Sequence, residues 1–234
     1  MRTLILVPVI HTSADLGSLA EDVAKRGIAD LGEDLWEKHT QAVEKFWDCI
    51  SDYFDSIDVS RMKIYQDGMI ADGAVGQRIV EESAKSGSRN YELVARLLKR
   101  GAVLVKTEDF KLVKQERDNL VILTQAKSII QKVTVYIKYM LVKGALLNKR
   151  DTFIAKRIDE SLGQGEAGII FIGAYHNIKK RLPGNIRCIE IKDAQKVKEY
   201  QMLLPFCHKR KKQFDELTDY LVSEIDQPFY RIKK

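Results

Sequence analysis

Cysteine is scarce in this chain and does not pair up. Its three cysteines, Cys49, Cys188 and Cys207, are scattered, odd in number and without a C-x-x-C spacing. That excludes a disulfide framework and a structural zinc site, and it suits a reducing cytoplasm. Long uncharged apolar runs are missing too. The N-terminal run is short, is interrupted by Pro8 and runs into His11 and Asp15. It lacks both the length of a spanning helix and a small-residue cleavage site, so the expectation is a soluble chain with no membrane partner. No low-complexity segment or short-period repeat is present. Among motifs there is no Walker P-loop, no G-x-G-x-x-G after the first strand, no H-E-x-x-H and no G-x-S-x-G.

What is present is ordinary for a globular protein of one large domain. The 234 residues are 45% hydrophobic and 31% charged, with a net charge of +6 and a sequence pI near 9.0. The basic balance favours anionic partners weakly. Basic clusters stand at Lys179-Lys180-Arg181 and at His208–Lys212, without interleaved aromatics, so sequence-specific nucleic-acid binding is not expected.

The chain is organised around Gly168–His176, GIIFIGAYH. An apolar run bounded by glycine predicts a strand buried on both faces, with Gly173 turning the chain and His176 delivered at the carboxyl end. Leu4–Ile10 repeats the design and delivers His11-Thr12-Ser13. Further strands are predicted at Met62–Tyr65, Gly101–Val105 and Ile186–Ile191. The helices predicted between them run from Ser13 or Asp15 to Arg26 with Gly27 as stop, then over Glu33–Ile57, Gln77–Lys85 and Tyr91–Lys99. A last helix is predicted over Lys209–Ile225. Alternation of this kind predicts an α/β fold with a mainly parallel sheet and right-handed crossovers, residues 1–234 forming one domain. Asp109–Asn148 departs from the rhythm. It is long, helix-like and apolar on more than one side, which predicts burial between layers or a contact in a homo-oligomer. A second short helix over Asp151–Ser161 completes a helical elaboration of about 109–161. His39 lies on the apolar stripe of the second helix and is read as a packed histidine.

In a parallel sheet the strand ends share one edge, so His11-Thr12, Gln66-Asp67, Thr107-Glu108-Asp109 and Gly173–His176 are expected to converge. Catalytic candidates are His11, His176, Glu108 and Asp109, and ligand-binding candidates are Thr12, Asp67, Gly173 and Tyr175. Two histidines and one or two carboxylates suffice for a divalent metal, with His11 and His176 as ligands, or for a metal-free base oriented by Glu108 or Asp109. Plainer roles compete: Thr107 or Asp15 as helix caps, Asp67-Gly68 as a turn, and Gly73–Gly76 as a loop rather than a phosphate cradle.

The late Gly173-Ala174-Tyr175-His176 resembles a motif of the TraB/ChaN/erythromycin-esterase-like group, whose animal relatives include the Tiki proteins. Pro8-Val9-Ile10-His11 takes the place of that group's early G-x-x-H, with Pro where Gly is expected. Gln66-Asp67 or Glu108-Asp109 stands in for its glutamate strand. The group ranges from hydrolases, some proposed to be metal-dependent proteases, to a haem-binding member. The resemblance therefore implies a hydrolytic site, with or without a divalent metal, acting on a small molecule or peptide. The rival expectation is a non-catalytic sensor of a small anionic ligand or nucleotide.

Overall fold

The computed structural model describes residues 1–12, 14–15, 20–125 and 129–225; for residues 20, 22, 23, 26, 120, 123–125 and 129–141 it describes the backbone alone. Five strands form one all-parallel sheet in the order β3-β2-β4-β1-β5: β1 Arg2–Val9, β2 Lys63–Gln66, β3 Val103–Val105, β4 Ala167–Gly173 and β5 Ile186–Glu190. The expected α/β class is what the chain adopts. The central pair is set by apolar runs covered on both faces, as parallel strands require. Leu4↔Gly168 and Val9↔Gly173 fix their register, so β1 and β4 end side by side.

Alternation along the strands divides the core in two. Ile5, Val7, Ile169 and Phe171 point to one face, with α1 (Ala20–Leu31), α2 (Glu33–Asp55), α3 (Gly73–Lys85) and α4 (Arg89–Lys99). Two helices from the end of the chain, α7 (Ala194–Leu203) and α8 (Lys211–Val222), complete that layer. Leu4, Leu6, Ile170 and Ile172 point to the other face, where Ile154 and Ile158 of α6 (Ile129–Ser161), with Leu162 just beyond it, cover them. Each such fully buried aliphatic side chain contributes about 1.5–3 kcal/mol relative to exposure.

Four boundaries differ from expectation for identifiable reasons. Gly27 does not stop α1, because the helix continues to Leu31 and Gly32 ends it at φ 82°. Gly27 instead makes room for Trp36: a Cβ there would lie 2.1 Å from the indole ring. Gly73–Gly76 is not a loop but the first turn of α3. The proposed break at residues 149–150 does not exist. After α5 (Phe110–Gln125), α6 runs unbroken from Ile129 to Ser161, taking in the helix expected at 151–161. Finally, α7 was not anticipated. The apolar side chains of 129–141 that suggested a subunit contact lie outside the described residues, while Ile122 and Val142 beside them are exposed. Among the described residues no helix is long and apolar enough to cross a membrane.

The connections place the site. From β2 the chain moves outward to β3, whereas from β4 it moves the opposite way to β5. With right-handed crossovers these connections leave on opposite faces and open a crevice at the ends of β2 and β4.

Candidate active site at the strand ends

His176 follows β4 in a tight turn closed by its N–H donating to the Gly173 carbonyl at 3.0 Å. The ring is almost wholly buried and has a carboxylate at each nitrogen. Nδ1 lies 2.5 Å from Asp151 Oδ1, and Nε2 lies 3.4 Å from Asp67 Oδ2. The second oxygen of Asp151 accepts the Asn177 N–H at 2.9 Å, so one carboxylate fixes both the ring and the turn that carries it. Burial alone would lower the pKa of this imidazole, but the two carboxylates outweigh it and raise the pKa to about 10. His176 is therefore an imidazolium at neutral pH.

Asp67 extends β2 by one residue, its N–H donating to Phe171 O at 2.9 Å, and Gly68 turns the chain behind it at φ 77°. The turn reading and the site reading of Asp67-Gly68 thus both hold. Oδ1 accepts from Arg150 Nη2 at 2.5 Å and Oδ2 accepts the Gly173 N–H at 3.3 Å. Burial opposes its charge, yet His176, Arg150 and His11 together hold the carboxyl well below the usual carboxylate range. Its side chain is 17% exposed against 5% for His176, so solvent reaches it more readily than the ring.

Arg150 stands at the centre. From α6 it binds Asp67, the fully buried Glu108 (Nε to Oε1, 3.1 Å) and Glu116 of α5. Burial pushes Glu108 up to about 7 against the pull of the guanidinium, and its Oε2 has no hydrogen-bond partner. Four carboxyls share two cations here, Arg150 and His176, so the surplus of negative charge also favours a proton on one of them. Glu108 is that one.

The remaining sequence candidates fall in three places. His11 is about half exposed beyond β1, with Nδ1 3.9 Å from Asp15 Oδ2. Thr12 gives its N–H and Oγ to that same carboxylate oxygen, at 2.6 and 2.9 Å, and Ser88, the N-cap of α4, donates to the other. Asp109 stands apart from the imidazoles. Its Oδ1 accepts the N–H groups of Lys111 and Leu112 at 2.8 and 3.2 Å, which makes it the cap of α5 in place of Thr107. Thr107 instead accepts the Gln66 N–H at 3.1 Å and donates to Val105 O. Tyr175 is exposed beside Lys143 and Lys198. His39, in the packed role expected of it, meets the Tyr200 hydroxyl at 2.9 Å and is pushed down to about 4 by burial.

The carboxylate bound to the imidazole was expected to be Glu108 or Asp109; it is Asp151, and Glu108 bears on Arg150. The missed pair, Arg150-Asp151, had one usable signal. Both lie on the stripe of α6 that continues through Ile154, Ala155 and Ile158, so they are charges on an inward face.

The donor set does not fit a divalent cation between His11 and His176. Both nitrogens of His176 and both oxygens of Asp67 are already engaged, and a guanidinium lies against Asp67. Among the described residues no group of three or more His, Cys, Asp or Glu side chains is arranged to hold a metal ion. No family model matches the chain, and neither a curated protein nor a solved structure matches it.

Proposed function

We propose that this chain is a hydrolase that works by acid–base chemistry at the ends of β1, β2 and β4. The observation carrying the proposal is the bracketing of His176 by Asp151 and Asp67 in a crevice that a parallel sheet offers to ligands. In this reading His176, held as imidazolium, donates a proton to the departing group of an acyl or phosphoryl substrate. The half-exposed His11 takes the proton of the attacking water, with Asp15 orienting it and Asp67 stabilising the charge it acquires. Asp151, Arg150 and Glu108 are positioning residues, since they act through His176 and Asp67. The resemblance to the TraB/ChaN/erythromycin-esterase-like group through Gly173–His176 supports the same reaction class. The carboxylates at both nitrogens of His176 and the guanidinium against Asp67 favour a metal-free form.

The test is turnover of ester, phosphoester and peptide probes by the purified protein, before and after chelator treatment. Removing a positioned acid or base typically costs 10²–10⁴-fold. A probe hydrolysed by the wild type, resistant to chelator and lost by about 10²-fold or more in His176→Gln, is the expected result. Activity restored only by added metal would overturn the metal-free form, and full activity in His176→Gln would overturn the reaction.

One observation favours a second reading, a sensor that holds an anionic ligand without turnover. A lysine-edged cleft opens beside His176. The glycine segment that had suggested a phosphate cradle lies within α3 and gives that reading no support. A nucleotide or phosphorylated metabolite co-purifying with an inactive protein would favour it. We further propose a cytoplasmic homo-oligomer joined through the helical middle, which sedimentation of the purified protein tests.

A further inference from the structure

A cleft of about 460 Å³ lies beyond the ends of β1 and β5; His176 forms part of its wall, and none of the carboxylates of the Arg150 cluster lines it. The volume suits a small-molecule ligand, since such sites run to roughly 300–1,000 Å³. Its floor is apolar, built from Leu6, Pro8 and Ile172. The charges around it do not cancel. Glu190 is committed to Lys179 Nζ at 2.6 Å and to the Ala194 N–H at 3.4 Å. Asp193 is committed to capping α7 through Gln195 and Lys196, at 2.7 and 3.2 Å. Glu190 is thus paired with Lys179, and Asp193 holds the α7 N-terminus through one oxygen, whereas Lys180 and Lys198 form no ion pair with a described carboxylate, so positive charge is in excess along the wall. Lys198 instead lies 5.3 Å from the centre of the exposed Tyr175 ring.

We infer that this cleft is a subsite for the phosphate group of a small phosphorylated substrate, held by Lys180 and Lys198 over the apolar floor. The inference rests on the hydrolytic reading above and names the substrate class of that site. It also separates two tasks: Lys180 and Lys198 hold the anion, and His176 and His11 act on the bond. Lysine ammoniums suit a phosphate as point charges, and added salt weakens such contacts.

Calorimetric titration with inorganic pyrophosphate tests the subsite without requiring turnover, with succinate as the dicarboxylate control. Saturable pyrophosphate binding that weakens by about tenfold or more in the Lys180→Ala/Lys198→Ala double variant is expected. Circular dichroism checks that the double variant is folded, as two surface substitutions should leave it. No saturable heat with pyrophosphate, unchanged affinity in the folded double variant, or equal affinity for succinate would each overturn the phosphate subsite. Pyrophosphate binding that depends on the two lysines, with no probe hydrolysed, would uphold the subsite and overturn the hydrolase.

Discussion

The Nδ1 atom of His176 lies 2.5 Å from Oδ1 of Asp151, twenty-five residues earlier in the chain and on a different kind of element. One partner rides a turn after a buried strand; the other rides the inward face of a long helix. Because Asp151 also accepts the Asn177 N–H, the ring has little freedom to rotate away. Its protonation is then a property of the fold.

Neutralising that partner should expose the dependence. In Asp151→Asn the amide keeps the shape but loses the charge, so the His176 pKa should fall from about 10 by roughly 1–3 pH units. Histidine-resolved NMR titration reads the shift directly. An unchanged value would mean that Asp67 alone sets the proton.

Stability should follow the same proton. The folded pKa of His176, about 10, exceeds the ordinary 6.5, so the folded state binds the proton more tightly than the unfolded chain. That contribution is fully present below about pH 6.5 and is lost as pH rises towards 10. Glu108, raised from 4.5 to about 7, acts in the same direction over a lower window. Denaturant unfolding should therefore give a smaller free energy at pH 9.5 than at pH 6.5, by on the order of 3 kcal/mol. His176→Gln should flatten that slope.

Arg150 carries the heaviest structural demand. Removing it leaves Glu108 and Glu116 without their cation and Asp67 with His176 alone. Breaking a buried ion pair from one side costs about 3–5 kcal/mol. At roughly 2–4 °C per kcal/mol for a chain of this size, Arg150→Met should lower the Tm by about 10 °C. Because the Glu108 pKa is already raised to about 7 and loses the pull of the guanidinium in this variant, adding Glu108→Gln should recover little of the loss. A large recovery would show that Glu108 is charged in the folded protein.

How much of this was legible in the residues follows from where each signal sits. The apolar runs of β1 and β4 are strong local signals, and each hands a histidine to the same sheet edge. Asp67 was visible as a polar residue at a strand end, although the Asp-Gly pair also read as a simple turn. Arg150 and Asp151 were hidden because two adjacent charges in a helix normally face water, and Asn148-Lys149 before them resembled a helix boundary. Their burial is decided by where α6 crosses the strand ends, which is tertiary information. Gly27 misled for a related reason. It looked like a stop signal, but it is the spot where Trp36 of the next helix packs.

Gly27→Ala accordingly sets two effects against each other. Alanine is the better helix former by about 1 kcal/mol, but its Cβ would fall 2.1 Å from the Trp36 ring. Overpacking of this kind costs about 1–3 kcal/mol. A lowered Tm with a perturbed tryptophan emission is expected, whereas a raised Tm would place Trp36 elsewhere.

The two histidines should separate when each is replaced by alanine. His11 has a side chain 53% exposed and its nearest described acid at 3.9 Å, so His11→Ala should shift the Tm by no more than a degree or two. His176 is different, because its side chain is 5% exposed and stands between two carboxylates. His176→Ala removes the cation that both of them face, leaving Asp151 buried without it and Asp67 reliant on Arg150. A loss of about 3 kcal/mol or more is expected, in the range for one-sided removal of a buried pair. Activity should fall in both variants, by about 10²-fold or more for each positioned acid or base. Turnover and Tm measured on the same preparations decide the matter. If His11→Ala keeps full activity, the water-activating base lies elsewhere in the crevice. If His176→Ala keeps the wild-type Tm, the carboxylates around it are solvated in solution and the charge cluster does not hold the fold.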